Sequence, residues 1–192
     1  MSRRAFEAVV VGASAGAVEA LSTVLPALPQ GYPCPVMIVV HVPPDRDSVL
    51  AAVLRSKCRI AVREAEDKEP LAAGIAYVAP PDYHLLVERD RSLSLSADEP
   101  VLYSRPSIDV LFESAADVFG PALLGVVLSG ANADGAQGAR SVEEAGGTVI
   151  VQCPETAHAS TMPAAALAAC ARAQALSLPE IAEFLIETSR IA

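Results

Sequence analysis

Short apolar runs alternate with amphipathic stretches along almost the whole chain. "EAVVVGA" is β-branched and apolar at consecutive positions, as a parallel strand buried on both faces should be. "AVEALSTVLPAL" follows at helical spacing, with Val18, Leu21, Val24 and Leu25 on one side. "PVMIVVH" predicts a second strand, "DSVLAAVLRSK" a helix capped by Asp47 or Ser48, and "RIAVREA" a third, weaker strand. The periodicity then changes. "GIAYVAPPDYHLLVERDRSLSLSADEP" holds strand-like pieces broken by Pro-Pro and by a charged turn from Arg89 to Arg91, which predicts antiparallel β-structure appended to the main sheet. "RPSIDVLFESAADVFG" returns to helix, with Pro106 early and Gly120 as its stop. "ALLGVVLSG" is a buried strand, "ADGAQGARSVEEAG" a helix ending at Gly146-Gly147, and "GTVIVQ" another strand. "MPAAALAACA" and "LPEIAEFLIETSRI" are the closing helices.

This alternation predicts an α/β fold: a doubly wound, mainly parallel sheet with helices on both faces and a short antiparallel β insertion. There is no internal repeat and no low-complexity linker, so a single domain over residues 1–192 is expected. Composition narrows the function. The chain is 52% hydrophobic, far from a disordered composition. Its net charge is −9 with no cluster of Lys and Arg, which excludes electrostatic nucleic-acid binding. The four cysteines, Cys34, Cys58, Cys153 and Cys170, form no CxxC pair, so neither a zinc site nor a redox motif is expected. They read as reduced, buried thiols of a cytoplasmic protein. No apolar run reaches the ~20 residues of a membrane span. "SRRAF" before the first apolar run superficially resembles a twin-arginine export signal. Glu7 and Glu19 interrupt or flank that run, and cleavage would remove the first strand.

In an open parallel sheet, sites form beyond the carboxyl ends of the strands. Three polar residues occupy such positions: Ser14 after "AVVVGA", His41 at the end of "PVMIVVH", and Asp134 just past "LLGVVLSGAN". They are the inventory of a nucleophile, a general base and a group that orients the base. Taken singly, each has a simpler reading: Ser14 as a helix cap or phosphate binder, His41 as a strand-end histidine bonded to backbone, Asp134 as a turn or cap aspartate. Asp45 and Asp47 are competing acids, for which capping suffices. The order Ser, His, Asp is not that of the α/β-hydrolases, and the serine follows the first strand. A dinucleotide site is the rival, but Ala13-Ser14 stand where GxGxxG wants glycine, and the second strand ends in His41 rather than an acid.

The stretches "VGASAGAVEAL", "VVHVPP", "EAEDKEPLAAGIAYVAPPDYHLLVE", "RPSIDVLFESAADVFG", "LSGANADGAQGA", "AGGTVIVQ" and "TMPAAAL" together resemble the catalytic domain of the chemotaxis protein-glutamate methylesterases, the CheB family, from about Ala8 to about Ile186. The resemblance implies hydrolysis of glutamate methyl esters on cytoplasmic chemoreceptor helices with release of methanol, and deamidation of receptor glutamines as a second activity. It carries the nucleophile onto Ser14, the base onto His41 and the third triad member onto Asp134, with no metal or organic cofactor. The Ala15 amide, at a helix N-terminus, is the natural oxyanion donor. Ala131 stands where better-known members carry a methionine near the oxyanion, and Ala17 where a glycine is frequent. Arg105 is a candidate guide for an acidic receptor surface, and Arg140 another source of local positive charge, so the rate should depend on ionic strength. Expected partners are a methyl-accepting receptor, with a methyltransferase or a separate response regulator. The match begins within the first residues, so no receiver domain is expected. The alternatives are a catalytically silent binding module of the same fold and a serine hydrolase acting on another ester or amide.

Overall fold

The computed structural model describes residues 6–41 and 49–188. The predicted caps Asp47 and Ser48, the competing acids Asp45 and Asp47, and the arginine pair of "SRR" lie outside the described residues. Seven parallel strands form one sheet in the order β3-β4-β2-β1-β7-β8-β9. Their ranges are β1 Ala8–Ala13, β2 Val36–Val40, β3 Ala61–Glu64, β4 Ile75–Val78, β7 Leu123–Val127, β8 Thr148–Gln152 and β9 Gln174–Leu176. β5 (His84–Val87) and β6 (Leu93–Ser96) make a separate antiparallel hairpin. The helices are α1 Ala17–Val24, α2 Leu50–Arg55, α3 Ile108–Phe119, α4 Ala136–Glu144, α5 Thr161–Ala169 and α6 Leu178–Thr188.

The period of two along the strands builds a core on each face of the sheet. Val9, Val11 and Ala13 of β1 join Leu21 and Val24 of α1, Leu54 of α2 and Ile181 of α6. Ala8 and Val10 face the other way, against Phe112 of α3, Val142 of α4, Met162 of α5 and Leu85 of the hairpin. The central strand β1 is therefore buried along its whole length, and its removal would take the axis out of both cores.

Several elements differ from their sequence pattern. Val18 is 53% exposed, and Ala17 and Ala20 take the buried side of α1 with Leu21 and Val24. Pro26 lies in a 3-10 turn over Leu25–Ala27, which ends α1 earlier than its apolar pattern does. "IAYV" is not part of the insertion: as β4 it pairs in parallel with β2 and β3. Residues 65–74, which connect β3 to β4, contain no helix, and that disguised the parallel pair. The hairpin packs against α3 instead of extending the sheet. β9 passed unnoticed because three residues carry too little periodicity. Pro106 precedes the N-cap Ser107, joined to Arg105 by a cis peptide bond, while Gly120 ends α3 as expected. All four cysteines are free, but only Cys34 and Cys170 are buried, and burial pushes both thiols up to about 11.

From β1 the chain runs to the neighbouring β2, on to the edge strand β3, back to β4 between them, and later crosses to β7 on the other side of β1. This reversal beside β1 opens a crevice at the carboxyl ends of β1, β2 and β7.

Candidate active site

The strand register continues into the loops and sets the site. Ala13 pairs with Val40, and the His41 amide donates to the Ala13 carbonyl at 3.2 Å. On the other side Gly12 pairs with Val127, and the Ser14 amide donates to the Ser129 carbonyl at 2.9 Å. Ser14 and His41 thus follow adjacent strands that lie about 4.8 Å apart. Both line one open groove of about 720 Å³, with Val18, Ser22, Lys57 and His158 along its walls.

Ser14 sits in a tight turn closed by the Ala17 amide on its own carbonyl at 3.0 Å. Gly16 caps α1 with φ +83, and a Cβ there would lie 2.6 Å from the His158 Cβ, so glycine is needed for both conformation and space. Gly12 is needed for space: its Cβ would lie 2.4 Å from Ile108 Cγ2. Behind the turn, the Ser129 hydroxyl donates to the Ala15 carbonyl at 2.6 Å, and the Ser129 amide donates to the buried Gln152 side chain at 2.9 Å. The Ala15 amide has no hydrogen-bond partner among the described residues, and neither does that of the exposed Ala131.

Asp134 is fully buried and bonded on both oxygens. Oδ2 accepts from His41 Nε2 at 2.7 Å and from the Ile108 amide at 2.7 Å. Oδ1 accepts from the Ser107 hydroxyl at 2.8 Å and from the Asp109 amide at 3.1 Å. The carboxylate therefore does the capping of α3, and Ser107, the N-cap residue, turns its hydroxyl toward it. Burial alone would push Asp134 up. The bonds from His41, the two amides and Ser107 outweigh it and hold the carboxyl below its usual value.

Asp109 returns the arrangement. Its Oδ1 accepts from the Gly135 amide at 2.9 Å and the Gly138 amide at 2.6 Å, at the start of α4. The residue beside α4 caps α3, and a residue of α3 caps α4. Burial, reinforced by the neighbouring Asp134 charge, raises Asp109 to about 6 despite those two amides. A buried histidine of the hairpin extends the network: His84 Nδ1 accepts from the Ser107 amide at 3.1 Å, and His84 Nε2 donates to the Glu99 carbonyl at 3.1 Å.

His41 and Asp134 are brought into contact, Ser14 shares the groove with His41, and Ala15 and Ala131 stand in the loops that follow β1 and β7. Arg105 is engaged elsewhere. It donates to Asp82 at 2.6 and 3.0 Å and to the carbonyls of Ala97 and Asp98 at 3.0 and 3.1 Å, tying two loops together. Arg140 pairs with Glu144 at 2.8 Å. The sequence reading missed Ser107, Asp109, His84, Asn132 and His158. Only Ser107 carried a local signal, as a serine directly before a helix; its bond to Asp134 spans 27 positions of chain. Among the described residues, no group of three or more His, Cys, Asp or Glu side chains is placed to hold a metal ion. None of the described helices is long and apolar enough to cross a membrane.

The chain matches the family model described as CheB methylesterase over residues 9–185. A Leptospira interrogans protein (strain Fiocruz L1-130), provisionally named protein-glutamate methylesterase/protein-glutamine glutaminase, is 47% identical over 181 residues, 94% of each chain. The protein-glutamate methylesterase/protein-glutamine glutaminase 1 of Anaeromyxobacter dehalogenans (strain 2CP-C) is 40% identical over 186 residues, and this chain spans 53% of its length. The crystal structure of the Thermotoga maritima CheB methylesterase catalytic domain superposes with a TM-score of 0.88 at 32% identity, covering 96% of this chain and 99% of that one.

Proposed function

The chain belongs to the CheB methylesterase family, and from that premise we propose that it hydrolyses glutamate methyl esters on the cytoplasmic helices of chemoreceptors, releasing methanol. Ser14 is the nucleophile, His41 the general base and Asp134 the group that orients the base. The observation that carries this assignment is the 2.7 Å bond between His41 Nε2 and the buried Asp134 carboxylate, on the rim where Ser14 and His41 share one groove.

The His41–Asp134 bond supports one choice of reacting nitrogen. An ionised carboxylate only accepts, so Nε2 carries the proton that it shares with Asp134. The lone pair is then on Nδ1, which is the nitrogen that takes the Ser14 proton. This reverses the roles of the two nitrogens relative to the chymotrypsin arrangement. Ser14 Oγ attacks the ester carbonyl as its proton passes to Nδ1. Asp134 stabilises the imidazolium, and the Ala15 and Ala131 amides are free to donate to the oxyanion. Collapse returns the proton to the leaving methoxide, and methanol departs. A water molecule, deprotonated by His41, then cleaves the glutamyl ester of Ser14 and leaves a free glutamate. The same acyl-enzyme formed from a glutamine releases ammonia, and the double names of the relatives support this second activity.

The test is methanol release from methylated chemoreceptor cytoplasmic fragments, comparing the wild-type chain with Ser14→Ala. Release by the wild type alone is expected. Equal release by both proteins, or none from either, overturns the reading.

A further inference from the structure

The two nitrogens of His41 are held from the same loop. Asp134 takes Nε2 at 2.7 Å, and two residues earlier the Asn132 side-chain nitrogen stands 3.5 Å from Nδ1. The orientation of the Asn132 amide is fixed independently. Its Oδ1 accepts the Asp134 amide at 3.2 Å, and an amide proton cannot face an NH2 group, so the nitrogen must point at the imidazole. A closed ring of donors results: Asp134 N–H to Asn132 Oδ1, Asn132 Nδ2–H toward His41 Nδ1, and His41 Nε2–H to Asp134 Oδ2. Taken together, a donor facing Nδ1 and a proton on Nε2 fit one imidazole form, the neutral ring protonated on Nε2.

We propose that Asn132 is a positioning residue for the base: its amide presents a donor to His41 Nδ1, holding the ring plane and keeping that lone pair unprotonated until Ser14 uses it. The proposal rests on the reading of His41 as the general base. At 3.5 Å the contact is long for a hydrogen bond, and that length suits the role. A short bond would occupy the lone pair against Ser14. A weak one orients the ring and yields when the serine hydroxyl moves in. The loop geometry supplies the restraint: the Asn132 side chain is tied to the Asp134 backbone, while the Asp134 side chain is tied to α3. The other ionisable groups on the groove are Glu19, Lys57 and His158, and Asp134 is the one in hydrogen-bond contact with the imidazole.

The decisive variant is Asn132→Asp. It keeps an oxygen for the Asp134 amide but replaces the donor at Nδ1 with a carboxylate, which recruits a proton there. The kcat at neutral pH should fall about 100-fold with KM changed less than about twofold. The acid limb of the rate profile should move up by at least about one pH unit. Asn132→Ala, which removes the donor without adding charge, should lower kcat roughly tenfold and leave the acid limb within about half a unit of wild type. Nitrogen NMR of the His41 ring in the intact chain gives a readout that needs no substrate. At any given pH, Nδ1 should be more protonated in Asn132→Asp than in the wild type. A wild-type acid limb and a wild-type degree of Nδ1 protonation in folded Asn132→Asp overturn the proposal. So does a loss of activity in Asn132→Asp that is the same at every pH, which marks a merely structural role. If the ring behaves as expected but the wild type releases no methanol, the methylesterase reading falls and the role of Asn132 at the imidazole stands.

Discussion

The proposed nucleophile and the proposed acid of this site are held in opposite ways. Ser14 lies in a half-buried turn whose backbone is fixed on both sides, yet its hydroxyl makes no hydrogen bond among the described residues. Asp134 is fully buried, with four donors from two places in the chain, His41 and the 107–109 segment. A nucleophile must reach a substrate, so its side chain is left open and only its backbone is restrained. An acid that orients a base must not move, and burial between two helix N-termini over-determines it. One residue is therefore dispensable for stability, and the other is needed for stability and chemistry alike.

The sharpest break of this contrast uses Ser14→Ala. Turnover should fall at least ~10⁴-fold because triad members act as a unit. The urea midpoint should stay within about 0.5 kcal/mol of wild type, and a clearly destabilised variant would erase the distinction between the two residues. Asp134→Asn should cost nearly as much activity by misdirecting the imidazole; a mild effect would hand the role to Asp45 or Asp47. Asp134→Ala should also lose roughly 3 kcal/mol of stability, since it strips the caps of α3 and leaves buried donors unpaired.

Asp109 sharpens the comparison through pH. Its folded value, about 6, lies above the ordinary carboxyl value near 4. Between these values the folded protein binds more protons at this site than the unfolded chain, so the stability this group contributes is lost as pH rises through about 6. Asp134 is depressed, so its contribution is present at neutral pH and is lost only below the ordinary carboxyl range. Asp109→Asn keeps an acceptor for Gly135 and Gly138 but removes the titration. Relative to this variant, wild type should lose on the order of 2 kcal/mol between pH 4.5 and 7.5. Parallel stability profiles for the two proteins would show that the carboxyl ionises as freely as in the unfolded chain.

The smallest effect belongs to Arg105. As a strut between Asp82 and the 97–98 backbone, with its side chain 22% exposed, it should cost about 1 kcal/mol or less when replaced by alanine. KM for a receptor fragment should change less than about twofold; a several-fold rise would restore the arginine as a guide for acidic substrate surfaces.

Much of this was legible in the sequence because strand and helix periodicities are local. Apolar runs such as "AVVVGA" and "LLGVVLSG" announce doubly buried strands, and parallel strands bring the residues just beyond their carboxyl ends to one rim. That is enough to select Ser14, His41 and Asp134 and to place them together. The sequence was weaker where packing overrides local pattern. Val18 has the apolar character of a core residue but looks out over the groove, while the smaller Ala17 and Ala20 turn inward where the sheet lies close. β4 looked like part of the insertion because no helix announces its crossover.

What the chain alone determined, then, is the order of elements and the chemical inventory at the strand ends, because both depend on neighbouring residues. What only the tertiary structure decided is how that inventory is held. Asp134 caps a helix that begins 26 residues before it, Asp109 caps the helix that Asp134 precedes, and Asn132 and Asp134 take opposite nitrogens of a ring more than 90 residues away. No sequence spacing encodes those partners. They exist because α3 and α4 pack with their N-termini together, and each buried backbone donor there had to find an acceptor.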